Sequence, residues 1–378
     1  MRILTAGESH GACNVAILEG FPKGVKIEAA FINKELKRRS SGAGRGKRMS
    51  IESDSVDIVS GLRNKISLGS PIAMLIKNKD NKIFTQKKDG LSLLSVPRPA
   101  HADLAGALKY GETDVRNILE RSSARETTAR VCIGSVCKQF LANFKIKIAS
   151  FTASLGSASS NKIPKSISEI QKAKTPKLNC LDKNLEVLML KEINKAEAGG
   201  DTLGGVIEIR LEGVPVGLGS FMQFDKRLDA KFASYLMSIP AIKGVEVGLG
   251  FEYAKRKGSE SHDAIYHSAQ KGFYHMTNNS GGIEGGISTG ESIVLRVAMK
   301  PIATLGEPLL SVNIKTKKAQ KAPLVRSDVC AVVACGVIAE SMAAIALTES
   351  FLEKFGCDSL PQIKLNYKNY INTLTNKA

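Results

Sequence analysis

From Val329 to Leu347 the chain carries one charge, Glu340. A helix that is apolar on every side must be enclosed by protein on every side. This segment, capped at Arg326-Ser327-Asp328-Val329 and running to about Phe355, is therefore predicted to be a buried helix with other layers around it. A length of 378 residues with 43% hydrophobic side chains can build a large core and is not a disordered composition. No apolar run is read as approaching membrane-spanning length, and MRILTAGESHG is too short and polar for a signal peptide. Seven cysteines without close pairing read as reduced thiols of a cytoplasmic protein. No CxxC or His/Cys cluster has metal-ligand spacing, so no metal is expected.

A second stretch, Arg98 to Arg130, concentrates chemistry. Pro97 and Pro99 stiffen the approach to His101, and helical periodicity starts near Asp103, which suits an N-cap. His101 thus falls on a short rigid connector at a helix mouth. A further helix is predicted to open at Arg121-Ser122-Ser123, with Ser123 and Glu126 at capping-box spacing, and to run past Arg125 and Arg130. Hydroxyls, amide hydrogens and arginines at a helix N-terminus make an anion site. The same residues also suit an ordinary capped helix with a solvated basic face, and this stretch alone does not separate the two.

The net charge of +18 divides unevenly. Lysines are scattered over surface segments, whereas arginines cluster at Arg38, Arg39, Arg45, Arg48, Arg98, Arg116, Arg121, Arg125 and Arg130. The planar guanidinium binds phosphate and carboxylate in bidentate fashion, so the pattern points to an anionic ligand. A basic RNA-binding protein is disfavoured because aromatics are 5% of residues, tryptophan is absent, and the basic clusters are not interleaved with rings. The loop Arg38–Arg48, RRSSGAGRGKR, lacks the GK[ST] ending of a P-loop, and neither kinase signatures nor a metal cluster supports a kinase or phosphatase. As a loop it suits either an arm folding over an anion or a solvated surface turn.

The chain also echoes itself. Gly11–Gly24 aligns with Gly204–Gly217 through a strand and an EGxPxG-like turn, Gly69-SPIAMLIKNK resembles Gly290-ESIVLRVAMK, and Arg121-Ser122 and Arg326-Ser327 each precede a long helix. Two similar α/β units are inferred, about 1–145 and 195–355 within one catalytic domain 1–355, followed by a polar basic tail, 356–378.

GESHG with its EGxPxG turn, RRSSGAGRG, RPAHAD, ERSSARET, TNNSGGIEGG, KPIAT and RSDVC, in that order from Arg2 to about Phe355, together resemble the chorismate synthase family. Ala100 stands where that family usually has glycine before its histidine, and Pro240 where many members have asparagine. The resemblance implies an α+β fold, a β-α-β sandwich with central helices between antiparallel sheets, assembled as a homotetramer. It implies 1,4-trans elimination of phosphate from 5-enolpyruvylshikimate-3-phosphate to give chorismate, in the shikimate pathway of aromatic amino-acid biosynthesis. Reduced FMN is required although there is no net redox change. Whether NADPH reduces that flavin on this chain is not readable in the sequence. By resemblance His10 serves the reduced flavin, His101 protonates the departing phosphate, and Asp328 works with the flavin in removing the C6 proton. FMN is expected on Arg121, Ser122, Ser123, Pro240, Ala241, Gly285, Lys300, Pro301, Ile302, Ala303, Thr304 and Arg326. Arg39, Arg45, Arg48, Arg125 and Arg130 are candidates for substrate or NADP phosphates. The partner expected is a small molecule, not nucleic acid or membrane.

Overall fold

The computed structural model describes residues 1–46, 54–79, 93–160, 162–270, 272–324 and 328–375; Arg48, Arg326 and Ser327 lie outside them. The main elements, in chain order, are β1 (Arg2–Ala6), β2 (Cys13–Glu19), α1 (Ala29–Arg39), β3 (Val56–Ser60), β4 (Ile72–Lys77), α2 (Asp103–Tyr110), α3 (Arg116–Ser122) and α4 (Thr127–Ala142). After them come β5 (Lys147–Leu155), β6 (Ala158–Ser159), α5 (Lys183–Ala198), β7 (Gly205–Glu212), α6 (Leu228–Met237), β8 (Ile242–Val247), β9 (Ile293–Met299), α7 (Val332–Phe355) and α8 (Leu360–Thr375).

Two antiparallel sheets result, ordered β1-β2-β4-β3 and β8-β9-β7-β5-β6. Helix α4 packs on the first sheet, α7 on the second, and α4 and α7 pack on each other, giving an α+β sandwich with helices inside. Period-2 burial explains the sheets: Asn14, Ala16 and Leu18 of β2 point inward, and their neighbours are less buried. Leu18 pairs with Ile72 in the first sheet, and Leu211 pairs with Ile293 in the second. The echo aligns those same positions, so the two strand pairs share one register.

Helix α7 is buried along most of its length, as its composition demands. By length and composition it could cross a membrane, contrary to the reading of the apolar runs, but 94% of that window is enclosed by protein. The crossing with α4 is close: a Cβ on Gly134 would lie 2.3 Å from Ser341 Cβ, so only glycine fits. Glu340 is accommodated by partners from three elements. Arg38 Nη2 donates to it at 2.9 Å, Lys138 Nζ at 2.7 Å, and the Ser150 backbone N–H and hydroxyl at 2.9 and 2.8 Å. Glu35 joins through Arg38 at 2.8 Å and Lys138 at 2.6 Å.

Several local expectations change. The stretch read as a polar tail contains α8, because Ile363 is buried and the Tyr367 and Tyr370 rings lie 5.1 Å from Phe144 and 5.6 Å from Phe355. The predicted helix opening at Arg121-Ser122-Ser123 is instead the end of α3 and a short 3-10 turn, Ala124–Glu126, before α4. Ser123 accepts from Arg125 N, but Glu126 closes no capping box; its carboxylate takes Arg130 one turn on, at 2.7 Å. Asp103 is not the cap of α2 but its first residue, and its buried carboxylate is used elsewhere.

Candidate active site

Between the two halves lies a cavity of about 530 Å³, within the ~300–1,000 Å³ of small-molecule and cofactor pockets. The first half contributes Ser9, His10, Arg39, Arg45, Arg98, Ala100 to Ala102, Leu119, Ser122 to Arg125, and Thr127; the second contributes Ile239 to Ala241, Met299, Lys300, Ile302 to Thr304, and Asp328. Its apolar lining includes Met299, Ile302, Ala334, Cys335 and Ile338. Burial pushes the Cys335 thiol up to about 12, so that sulfur is an inert wall atom.

His10 sits on a loop after β1 that is fixed from α3. Glu120 Oε1 lies 2.8 Å from His10 Nδ1, Oε2 accepts the His10 backbone N–H at 2.8 Å, and the Glu120 carbonyl accepts Ser9 N. Asn78 Nδ2 donates to the Glu8 and Gly11 carbonyls and closes the loop. His101 follows Ala100, which has a left-handed φ of 60°. Without glycine at that position the turn is strained by ~1–2 kcal/mol. Lys300 clips it: Nζ donates to the Ala100 carbonyl and its backbone N–H to Ala241, itself at φ 72°. Burial and nearby Lys243 both lower the Lys300 ammonium from its usual value.

The Arg38–Arg48 loop, as far as residue 46, is packed rather than solvated. A Cβ on Gly42 would meet Val333 at 2.7 Å, and one on Gly44 would meet Cys330 at 2.9 Å, so these glycines let backbone rest on the start of α7. Val329 N and Cys330 N donate to the Gly44 carbonyl. This places Arg45 Nη1 2.8 Å from Asp328 Oδ2, while Oδ1 accepts Gly46 N at 2.7 Å. Among the described residues, Arg45 Nε is buried without a hydrogen-bond partner.

Of the candidate residues, His10, His101, Asp328, Arg39, Arg45, Arg125, Ser122, Ser123, Pro240, Ala241, Lys300, Ile302, Ala303 and Thr304 line this one cavity. Pro301 does not line it, although both its neighbours do. Arg121 turns away to donate to Thr5 and Gly7 carbonyls. Arg130 pairs with Glu126, donates to Ser238, and faces a separate recess with Arg2 and Tyr235. Gly285 lies outside the wall, in a short hairpin whose mate Gly286 approaches Arg227. Arg39 and Arg125 are anchored, Arg39 on Thr127 and Ala124, Arg125 on Asp54 at 2.8 Å. Sequence reasoning did not single out Glu120, whose only signal was an acid near Arg121, and it gave Asp103 and Arg98 different tasks. Arg98 donates to Asp103 and to Thr304.

The family model for chorismate synthase matches residues 1–352. Chorismate synthase of Alkaliphilus metalliredigens is 50% identical over 375 residues, covering 98% of this chain and 99% of that protein. Chorismate synthase 2 of Bacillus cereus is 48% identical over 385 residues, with 98% and 99% covered. A crystal structure of chorismate synthase aligns with a TM-score of 0.81 at 40% identity, covering 99% of this chain and 98% of the other. A shared fold, whole-length identity near one half, and a cleft that gathers the signature histidines with Asp328 agree: the chain belongs to the chorismate synthase family and is a lyase.

Proposed function

We propose that the cleft converts 5-enolpyruvylshikimate-3-phosphate to chorismate by 1,4-trans elimination of phosphate, with reduced FMN bound beside the substrate. The observation that supports this most is the charge of the wall. Arg39, Arg45, Arg98, Arg125 and Lys300 line a single cavity with Asp328, and although Asp103 and Asp54 hold Arg98 and Arg125 from behind the wall, cations outnumber carboxylates among the described residues there. That surplus suits a substrate with one phosphate and two carboxylates, and a cofactor with another phosphate. The residues present fit the flavin: an apolar wall of small and aliphatic side chains for a flat ring, and a buried Arg45 Nε lacking an acceptor. When bound, reduced FMN supplies an electron-rich neighbour to the electron-poor centre created as phosphate leaves.

The chain's own residues do the rest. His101 holds a proton for the departing phosphate oxygen, and His10, gripped by Glu120, holds one at the flavin side of the cleft. Asp328 is the carboxylate placed for the C6 proton, and Arg45 must share it with incoming anion before it acts as base. The apolar wall excludes water, which strengthens each of these charges. FMN belongs to this reading, and its electrons come either from NADPH on this chain or from an external reductant, which the assay below separates. A homotetramer belongs to it too, and it suits exposed Phe221, Met222, Phe224 and Phe251; light scattering should then give four times 40.5 kDa.

The deciding assay is anaerobic phosphate release from the enolpyruvyl substrate with chemically reduced FMN, with oxidised FMN, and with oxidised FMN plus NADPH. Release only in the first arm supports the reading with an external reductant; release in the third as well adds a reductase activity. No release with reduced FMN overturns it.

A further inference from the structure

The reading above makes His101 the proton donor but leaves open which ring nitrogen serves and what fixes it. Asp103, two residues on, is completely buried, and four donors converge on its two oxygens. Oδ2 takes the Arg98 backbone N–H at 3.1 Å and Arg98 Nε at 2.9 Å; Oδ1 takes Arg98 Nη2 at 3.1 Å and faces His101 Nδ1 at 2.5 Å. Burial would raise this carboxyl, but the hydrogen bonds from His101 and Arg98 outweigh it and hold Asp103 well below the usual carboxylate range. A deprotonated oxygen at 2.5 Å requires the hydrogen to sit on Nδ1. Arg98 Nη2 stands nearly equidistant from the ring nitrogens, 3.1 Å from Nδ1 and 3.3 Å from Nε2, and donates to Asp103 Oδ1, so it claims neither. Arg98 is itself anchored, through Nη1 on Thr304 Oγ1 across the cleft at 3.2 Å. Lys300 donates to the carbonyl of Ala100, the residue before His101.

We propose that Asp103 is the positioning residue for His101: backed by Arg98, its carboxylate keeps a proton on Nδ1, so that Nε2 is the nitrogen that gives up and regains the proton in the cleft. The inference rests on the chorismate synthase reading for its effect on turnover, but the tautomer itself does not.

Asp103→Asn tests it with almost no change in volume. Asparagine offers one acceptor oxygen, and the two Arg98 donors on the Oδ2 side claim it, which turns the amide N–H₂ toward His101. Nδ1 then becomes an acceptor and the ring proton moves to Nε2. The full chain labelled with ¹⁵N in its five histidines gives a readable spectrum, with His101 assigned by its absence in His101→Ala. Expected are a neutral His101 protonated at Nδ1 in the wild type and at Nε2 in Asp103→Asn. In phosphate release, kcat should fall about 10²–10⁴-fold, the range for a general acid, with KM within about threefold. Asp103→Asn added to His101→Ala should cost no further turnover, since the carboxylate acts through a ring no longer there. A wild-type His101 protonated at Nε2, or losses that multiply in the double variant, would overturn the proposal. Should the wild type release no phosphate at all, the functional reading fails, and the wild-type spectrum still decides the tautomer without any variant.

Discussion

Two charged centres flank α7, and they are built on opposite rules. In the knot around Glu340, two carboxylates meet Arg38 and Lys138 with Lys174 close enough to act on both, and the remaining lone pairs of Glu340 take the Ser150 N–H and hydroxyl. In the cleft, Asp103 and Asp54 hold Arg98 and Arg125, Asp328 takes Arg45 Nη1, and among the described residues Arg45 Nε has no acceptor. A satisfied buried network fixes one arrangement of α1, α4, β5 and α7. An open donor leaves a bond to be completed by a ligand. The difference teaches that the knot is closed by its own hydrogen bonds, whereas the cleft keeps one donor open among the described residues.

The largest way to break the comparison is Glu340→Ala, which leaves Arg38 and Lys138 buried with one carboxylate fewer. It should cost about 3–5 kcal/mol in urea unfolding, whereas Lys300→Met in the cleft should cost no more than the ~0.5–1.5 kcal/mol of one hydrogen bond. Similar losses from both would erase the distinction. Next come His10→Ala and His101→Ala, each expected to slow phosphate release about 10²–10⁴-fold while leaving the urea midpoint and flavin binding in place. Unchanged turnover would remove that histidine from the chemistry.

Acid should weaken the knot. Burial opposes ionisation of Glu35 and Glu340, but Lys138 and Arg38 outweigh it, and both carboxyls lie below their ordinary values. Groups with lowered folded pKa values stabilise above the unfolded value of ~4.3 and lose that contribution as pH falls below it. Unfolding free energy measured from pH 7 down to 3 should therefore drop below about pH 4.3 in the wild type, and Glu340→Ala should flatten the slope. The smallest effect is at Ala100. Ala100→Gly relieves ~1–2 kcal/mol of left-handed strain against ~0.5–1 kcal/mol of added chain entropy, so the urea midpoint should rise slightly; a fall would mean that the Ala100 methyl packs favourably in the cleft wall.

Much of this was legible in the chain. The uncharged run around Glu340 predicts an enclosed helix, and the strand–turn echo aligns Leu18 with Leu211 and Ile72 with Ile293, which pair in the same register in the two sheets. Periodicity and turn chemistry are local signals, and they survive folding. What was not legible depends on contacts across long separations. Arg130 carries the same residue type as Arg125, but its neighbour Glu126 neutralises it and α4 points it toward Ser238. Arg121 was read beside an anion and instead holds β1. Glu120 and Asp103 grip the two histidines through tertiary geometry, for which no spacing rule exists. The helix mouth at Ser122–Ser123 failed as a capping box because the turn there is 3-10, too tight for the reciprocal bond.

The most direct test of the central claim is a crystal structure of the full chain with FMN and 5-enolpyruvylshikimate-3-phosphate bound under anaerobic, reducing conditions. The account predicts both molecules in the one cleft, with Arg45 Nε on an anionic oxygen and the substrate phosphate within hydrogen-bond reach of His101 Nε2. Saturating ligand found elsewhere on the molecule, or a substrate phosphate facing away from His101, would contradict it.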